Sequence, residues 1–214
     1  MKLHSADLTR ALELPLPGTG AHETMMPFGA RRHRMSSVSS ATRRGAVLIT
    51  LVPANQDTEL PLIQRSDDGG PHALQISLPG GAAEPEDTSS ADTALREAQE
   101  EIGLKPQHVT VLGTLSDLYI DVSDFLITPV VAWYDREDPN DTFWPTLRRQ
   151  PREVRRIVRG SLNILQQTQA HRRVDARGIE LTAPSFLAEG EIVWGATAMI
   201  LGELLELLHS TRRG

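Results

Sequence analysis

The 214-residue chain has no cysteine. That excludes a disulfide framework, cysteine-ligated zinc and thiol catalysis. It has no run of 18 apolar residues, so no segment reads as a membrane-crossing helix. The N-terminus shows no secretory apolar region, and a cytoplasmic protein is the expectation. No internal repeat is present. Positive charge is in short supply too. The formal net charge is −6, which argues against broad nucleic-acid binding through phosphate contacts. A small anionic substrate stays compatible with it, because a metal ion and a few local arginines can reverse the sign at a site. The length suits one domain with a proper core.

Residues 1–44 form an uneven N-terminal segment, expected to be partly flexible and basic, ahead of a domain over residues 45–214. Leu8, Ala11 and Leu12 suggest a short helix that Pro15, Pro17, Gly18 and Gly20 end. Residues 31–44 (RRHRMSSVSSATRR) read either as a flap whose arginines meet phosphates or as a mobile linker. Residues 45–52 (GAVLITLV) are a continuous apolar run, as in a buried strand. Residues 60–65 (LPLIQR) read as its partner, where Pro61 predicts an edge or a bulge. Residues 109–115 and 125–134 read as further strands, and residues 135–152 as a polar, proline-containing surface loop. A strand over residues 154–160 leads into a short helix. A hairpin through Gly178 and Gly190 then precedes a last helix with Leu201, Leu204, Leu205 and Leu208 on its apolar face.

The densest pattern lies in residues 78–104, LPGGAAEPEDTSSADTALREAQEEIGL. Ser89 with Asp92 three residues on reads as a helix cap, and Gly103 as the left-handed stop. Ala91, Ala94, Leu95, Ala98 and Ile102 follow helical spacing and predict one buried stripe. Glu97, Glu100 and Glu101 fall at i, i+3 and i+4 on a neighbouring face. Alone, they could be a solvated acidic face. Like charges at this spacing repel by a few tenths of a kcal/mol per pair, and Arg96 suits only Glu100 as a partner. A hard divalent cation would offset the repulsion.

The stretch resembles the Nudix box, G-x5-E-x7-R-E-U-x-E-E-x-G-U with U aliphatic. Gly81 supplies its first glycine, and Arg96, Glu97, Ala98, Glu100, Glu101, Gly103 and Leu104 its second half. The middle acid is Asp87, with one extra residue between it and Arg96. That longer spacing is similar to the coenzyme A pyrophosphatase branch of the family. Residues 65–81 resemble the branch's second signature, R-S-x-x-L-x-x-H-x-G-Q-I-S-F-P-G-G, through Arg65, Ser66, His72, Gln75, Ile76, Ser77, Pro79, Gly80 and Gly81. Leu74 and Leu78 replace its glycine and phenylalanine. A leucine resists the positive φ that glycine admits, so the first change could alter a turn.

The resemblance implies an α/β fold, the Nudix-type α/β/α sandwich with a mixed sheet between helices. It implies metal-dependent hydrolysis, with Mg²⁺ or Mn²⁺, of a nucleoside-diphosphate-linked substrate. Coenzyme A or acyl-coenzyme A, split to 3′,5′-ADP and (acyl)phosphopantetheine, is the first choice. ADP-ribose or a related nucleotide is the alternative, and a non-catalytic nucleotide-binding module the alternative of another class. Gly81, Glu97, Glu100 and Glu101 would hold metal, with Arg96 orienting the glutamates and Asp87 tying loop to helix. Glu153 is the candidate late carboxylate. Arg65, Ser66, His72, Gln75, Gly80 and, as an adenine platform, Tyr119 are the substrate candidates. The partner is a small-molecule nucleotide, with no nucleic acid and no membrane; a homodimer is left open.

Overall fold

The computed structural model describes residues 1–27, 38–67, 69, 73–135, 143–176 and 178–211. In chain order these form α1 (Ser5–Leu12), α2 (Gly18–Thr24), β1 (Arg43–Pro53), β2 (Thr58–Arg65), β3 (Ile76–Ser77), β4 (Gly80–Ala82) and α3 (Ser90–Ile102). They continue through β5 (Val109–Thr114), β6 (Leu118–Ile120), β7 (Phe125–Tyr134), α4 (Phe143–Thr146), β8 (Val154–Ser161) and α5 (Leu162–Thr168). The chain closes with β9 (Ala170–Ala176), β10 (Ile179–Ala188), β11 (Glu191–Val193) and α6 (Gly195–Ser210).

β1 runs through the middle of the main sheet. It lies parallel to β7 from Arg43↔Phe125 to Leu51↔Trp133, and antiparallel to β2 and β4. The sheet is therefore mixed, and because β1 and β7 are covered on both faces they read as continuous apolar runs. One face carries Leu51, Leu60, Leu62 and Val131 against α1, α2 and the leucines of α6. The other packs Ala46, Leu48, Ile63 and Val130 against Ala94, Ala98 and Ile102 of α3. The architecture is a mixed sheet between helices, as expected. β9, β10 and β11 form a second, antiparallel sheet, turned at Gly178 and Gly190 as the sequence suggests.

Three readings change. β2 is not an edge, since β3 and β8 also pair with it. Its ladder to β1 is confined to Val52↔Glu59 and Pro53↔Thr58, so Pro61 sits where that ladder has already ended. The Pro15–Gly20 region does not simply end a helix, because α2 begins at Gly18. The Gly18 amide donates to Glu203 of α6 (3.0 Å), and His22 Nε2 lies 2.8 Å from the same carboxylate. Finally, Leu3, Leu8, Ala11 and Met25 are buried in the core beside α6, so the described part of the N-terminal segment packs onto the sheet.

Candidate active site

α3 begins as the sequence predicts. The Ser89 hydroxyl accepts from the Asp92 amide at 3.2 Å, and Gly103 ends the helix at φ 67°. With Ala94, Ala98 and Ile102 fully buried, the helix is fixed in rotation, and Glu97 and Glu101 are aimed at the β3–β4 turn. The three glutamates are not equivalent. Glu100 is exposed (58% for the side chain), Glu97 is largely covered (14%), and Glu101 is 2% exposed as a residue.

Glu101 accepts a hydrogen bond from the Gly80 amide at 2.9 Å, joining helix to turn. Burial pushes its carboxyl up to about 7, against the Gly80 bond and the nearby Arg65 charge, while Glu97 and Glu153 push the same way as burial. Burial also raises Glu97, with Glu100 and Glu153 adding to it and Arg96 opposing. Glu97 lies over Gly81: a β-carbon there would come within 2.5 Å of its carboxylate. At Gly80 a β-carbon would meet the Ala46 carbonyl at 2.4 Å. The two glycines admit a carboxylate on one side and β1 on the other.

Arg96 has more partners than spacing suggested. It donates to both oxygens of Asp87 (3.1 and 3.0 Å), to Glu97 (3.0 Å), to Glu100 (3.4 Å) and to the Ala82 carbonyl (2.9 Å). The Arg96 guanidinium, with the Glu84 amide and Thr93 hydroxyl, holds Asp87 well below the usual carboxylate range. The box therefore closes through Asp87 despite its shorter side chain and longer spacing.

The rim is built from the second signature. The Arg65 amide donates to the Gln75 carbonyl (3.0 Å), and the Ser66 amide to the Glu153 carbonyl (2.8 Å). Leu74 takes φ 62°, a left-handed conformation that leucine ordinarily resists and glycine admits. Glu153 stands in the turn just ahead of β8, exposed and close enough to raise Glu97 and Glu101. His72 and, among the basic residues, Arg31, Arg32 and Arg34 lie outside the described residues. Arg43 and Arg44 belong to β1, with Arg43 stacked 5.2 Å from the Phe125 ring centre. Tyr119 is corrected: it is 4% exposed and donates its hydroxyl to Asp124 (3.0 Å), so its ring presents no free face for adenine.

Ser77 carried no role in the sequence reading. Among the described residues its Oγ is the buried side-chain polar atom without a hydrogen-bond partner. It pairs opposite Ile63, whose side chain packs toward α3, so the hydroxyl shares the glutamates' face. Only the structure exposes that signal.

A mixed sheet between helices, with a glutamate-bearing helix clamped to a double-glycine turn, defines a phosphoanhydride hydrolase of the Nudix type. The chain matches the NUDIX domain family over residues 42–177 and belongs to that family. It is 37% identical to the "Uncharacterized Nudix hydrolase NudL" of Pectobacterium atrosepticum over 169 residues, covering 76% of this chain and 81% of that one. It is 32% identical over 171 residues to the protein of the same name from Photorhabdus laumondii, covering 79% and 87%. Among solved structures, the Nudix hydrolase RenU of M. smegmatis aligns with a TM-score of 0.51 at 15% identity, covering 87% of this chain and 95% of that one. The protein is a Nudix hydrolase, acting on nucleoside diphosphate derivatives. Among the described residues no helix is long and apolar enough to cross a membrane.

Proposed function

We propose that the protein hydrolyses the diphosphate of coenzyme A or an acyl-coenzyme A, giving 3′,5′-ADP and (acyl)phosphopantetheine, with Mg²⁺ or Mn²⁺. The observation that carries the reading is the junction of Glu101 with the Gly80 amide, Glu97 over Gly81, and beside it Arg65 tied to Gln75 and Ser66 to Glu153.

The donor set suits such an ion. It is all oxygen, and it includes a buried carboxyl raised by burial that a cation would relieve. Among the described residues no three carboxylate or imidazole groups already converge as a cage. Mg²⁺ tolerates this, since it keeps several waters and binds through one or two carboxylates plus substrate phosphates. Glu97, Glu100 and Glu101, with Gly81, would hold it. When bound, the ion supplies charge neutralisation of the diphosphate and a more acidic water.

The chain's own residues do the rest. Glu101 fixes the turn to the helix through the Gly80 amide. Arg96 holds Glu97 and Glu100 in place by charge-assisted hydrogen bonds from one nitrogen. Glu153 stands at the rim, poised to accept a proton from an attacking water. Arg65 brings positive charge next to the buried carboxylate, where a phosphate oxygen would also lie. Leu74 at φ 62° is compatible with the coenzyme A branch, because it takes a backbone conformation that glycine also admits.

The test is a substrate panel of coenzyme A, ADP-ribose, NADH and diadenosine polyphosphates with Mg²⁺ or Mn²⁺. Coenzyme A should be cleaved with a kcat/KM at least ~10-fold above ADP-ribose, equivalent to about 1.4 kcal/mol in transition-state binding. Equal or reversed preference removes the coenzyme A reading and leaves a hydrolase of another nucleoside diphosphate derivative.

A further inference from the structure

Residues 148–159 (RRQPREVRRIVR) carry six arginines and one glutamate in a chain of net charge −6. Arg156 is neutralised by Glu189 (3.1 Å) and Glu191 (2.8 Å), and Arg159 approaches Glu59 at 3.7 Å. Arg148 and Arg149 donate to main-chain carbonyls, those of Leu147 and Val154, and neither pairs with a carboxylate among the described residues. Arg152 is exposed and, among the described residues, has no carboxylate partner within ion-pair distance.

This loop is pinned to the active site by its backbone. The Arg148 amide donates to the Ile102 carbonyl and the Gln150 amide to the Glu101 carbonyl, both at 2.8 Å. From the other side, the Ser66 hydroxyl donates to the Pro151 carbonyl at 3.4 Å, and the Ser66 amide binds Glu153. The exposed arginines therefore stand at a fixed place between the end of the glutamate helix and the Arg65–Ser66 rim. Arg149 and Arg152 are thus exposed cations held at a fixed place by backbone bonds, without a carboxylate partner among the described residues. Arginine forks match phosphate, and a fixed backbone lowers the ordering penalty of binding one.

We propose that Arg149 and Arg152 form a subsite for a phosphate monoester that the substrate carries apart from its diphosphate, as the 3′-phosphate of a coenzyme A-type nucleotide. This rests on the nucleotide reading above, but its test does not need turnover. Adenosine 3′,5′-bisphosphate and AMP are titrated into the wild type, into Arg149→Gln/Arg152→Gln and into Arg149→Lys/Arg152→Lys, all with Mg²⁺. Urea midpoints of the three proteins check the fold. The wild type should bind the bisphosphate at least about fivefold tighter than AMP, since two partly exposed ionic contacts of this kind are each worth a small factor. That margin should fall below about twofold in the glutamine variant, recover in part with lysine, and shrink with added salt. AMP affinity should hold. No preference in the wild type, an unchanged margin in the glutamine variant, or an equal loss for both nucleotides would each overturn the subsite. A wild type that prefers the bisphosphate yet cleaves no member of the substrate panel would instead remove the hydrolytic reading and leave the subsite standing.

Discussion

Gly81→Ala separates the chemistry of the site from its stability. The new β-carbon would fall 2.5 Å from Cδ and Oε1 of Glu97 and 2.7 Å from Oε2, where ordinary contact begins at 3.4 Å. The carboxylate must therefore withdraw by about 1 Å, a displacement that can lower turnover about 100-fold when the group belongs to a catalytic site. It cannot withdraw freely, because Arg96 holds Glu97 at 3.0 Å and is itself locked to Asp87. Stability should change little. The colliding atoms are the end of a flexible side chain, and alanine restricts the unfolded chain by about 0.4–1 kcal/mol in compensation. Gly80→Ala is the contrast. Its β-carbon would strike the Ala46 carbonyl at 2.4 Å and Val47 Cα at 2.6 Å, at φ +154°, and backbone cannot step aside. That variant should lose about 1–3 kcal/mol or more. The assay pairs kcat at saturating Mg²⁺ with urea midpoints. Wild-type turnover in Gly81→Ala, or destabilisation equal to that of Gly80→Ala, would refute the placement of Glu97 over the turn as functional.

Glu101→Gln should lower kcat at least ~100-fold while keeping the Gly80 contact, since a glutamine oxygen can still accept. Its folded-state carboxyl is raised from 4.5 to about 7, so the metal-free wild type carries a growing penalty as pH rises through that window, on the order of 3 kcal/mol above it; metal-free Glu101→Gln should match the wild type at pH 4 and exceed it at pH 8, and equal melts at both would refute this. For Asp87 the sign is opposite. Its carboxyl is lowered from 3.8 by Arg96, so the stability it contributes is present above that value and lost as pH falls below it. Asp87→Asn should therefore be less stable than wild type at pH 7 and lose less on acidification, as acid titration of the native circular dichroism would report.

What was legible in the sequence was local. The Ser89 cap, the Gly103 stop and the Ala94–Ala98–Ile102 stripe depend on residues within one or two helical turns of each other, and each is in place. What was not legible depends on partners far along the chain. α2 exists because Glu203 receives Gly18 and His22 across more than 180 residues, while the local prolines and glycines point to a break. The split between a buried Glu101 and an exposed Glu100 follows from where the Gly80 amide sits, which spacing on α3 cannot encode. α4 falls in a stretch read as polar loop, and its Phe143 packs edge-on against Tyr134 at 4.7 Å. Arg96 was under-read for a similar reason, since its strongest partner, Asp87, lies outside the helix. The arginines of residues 148–159 were read only as part of a polar loop and a strand, and they gain meaning where the loop docks on the end of α3.

Two buried glutamates on opposite faces of the sheet show how structure and function can be told apart here. Glu203 is fully buried, and burial alone would raise its carboxyl. It receives His22, the Gly18 amide and the Ser116 amide (3.3 Å), and together these hold it below the usual range. It is charged, satisfied, and binds α2 and the turn before β6 to α6. Glu101 is almost as buried but has one backbone donor, so burial wins and its carboxyl rises to about 7. A few residues away, Ser77 leaves a buried hydroxyl unpaired on the same face. Unmet polar groups in a folded interior each cost about 1–3 kcal/mol. The α6 face meets that demand from within the chain, whereas the α3 face leaves it open, and it is the open face that carries the glycine turn, the guanidinium clasp and the docked arginine loop. A cation and a diphosphate arriving there would satisfy what the protein alone does not. The ligand should accordingly raise the stability of the α3 face, and Glu101 in particular should exchange an energetic penalty in the empty protein for a contact in the loaded one.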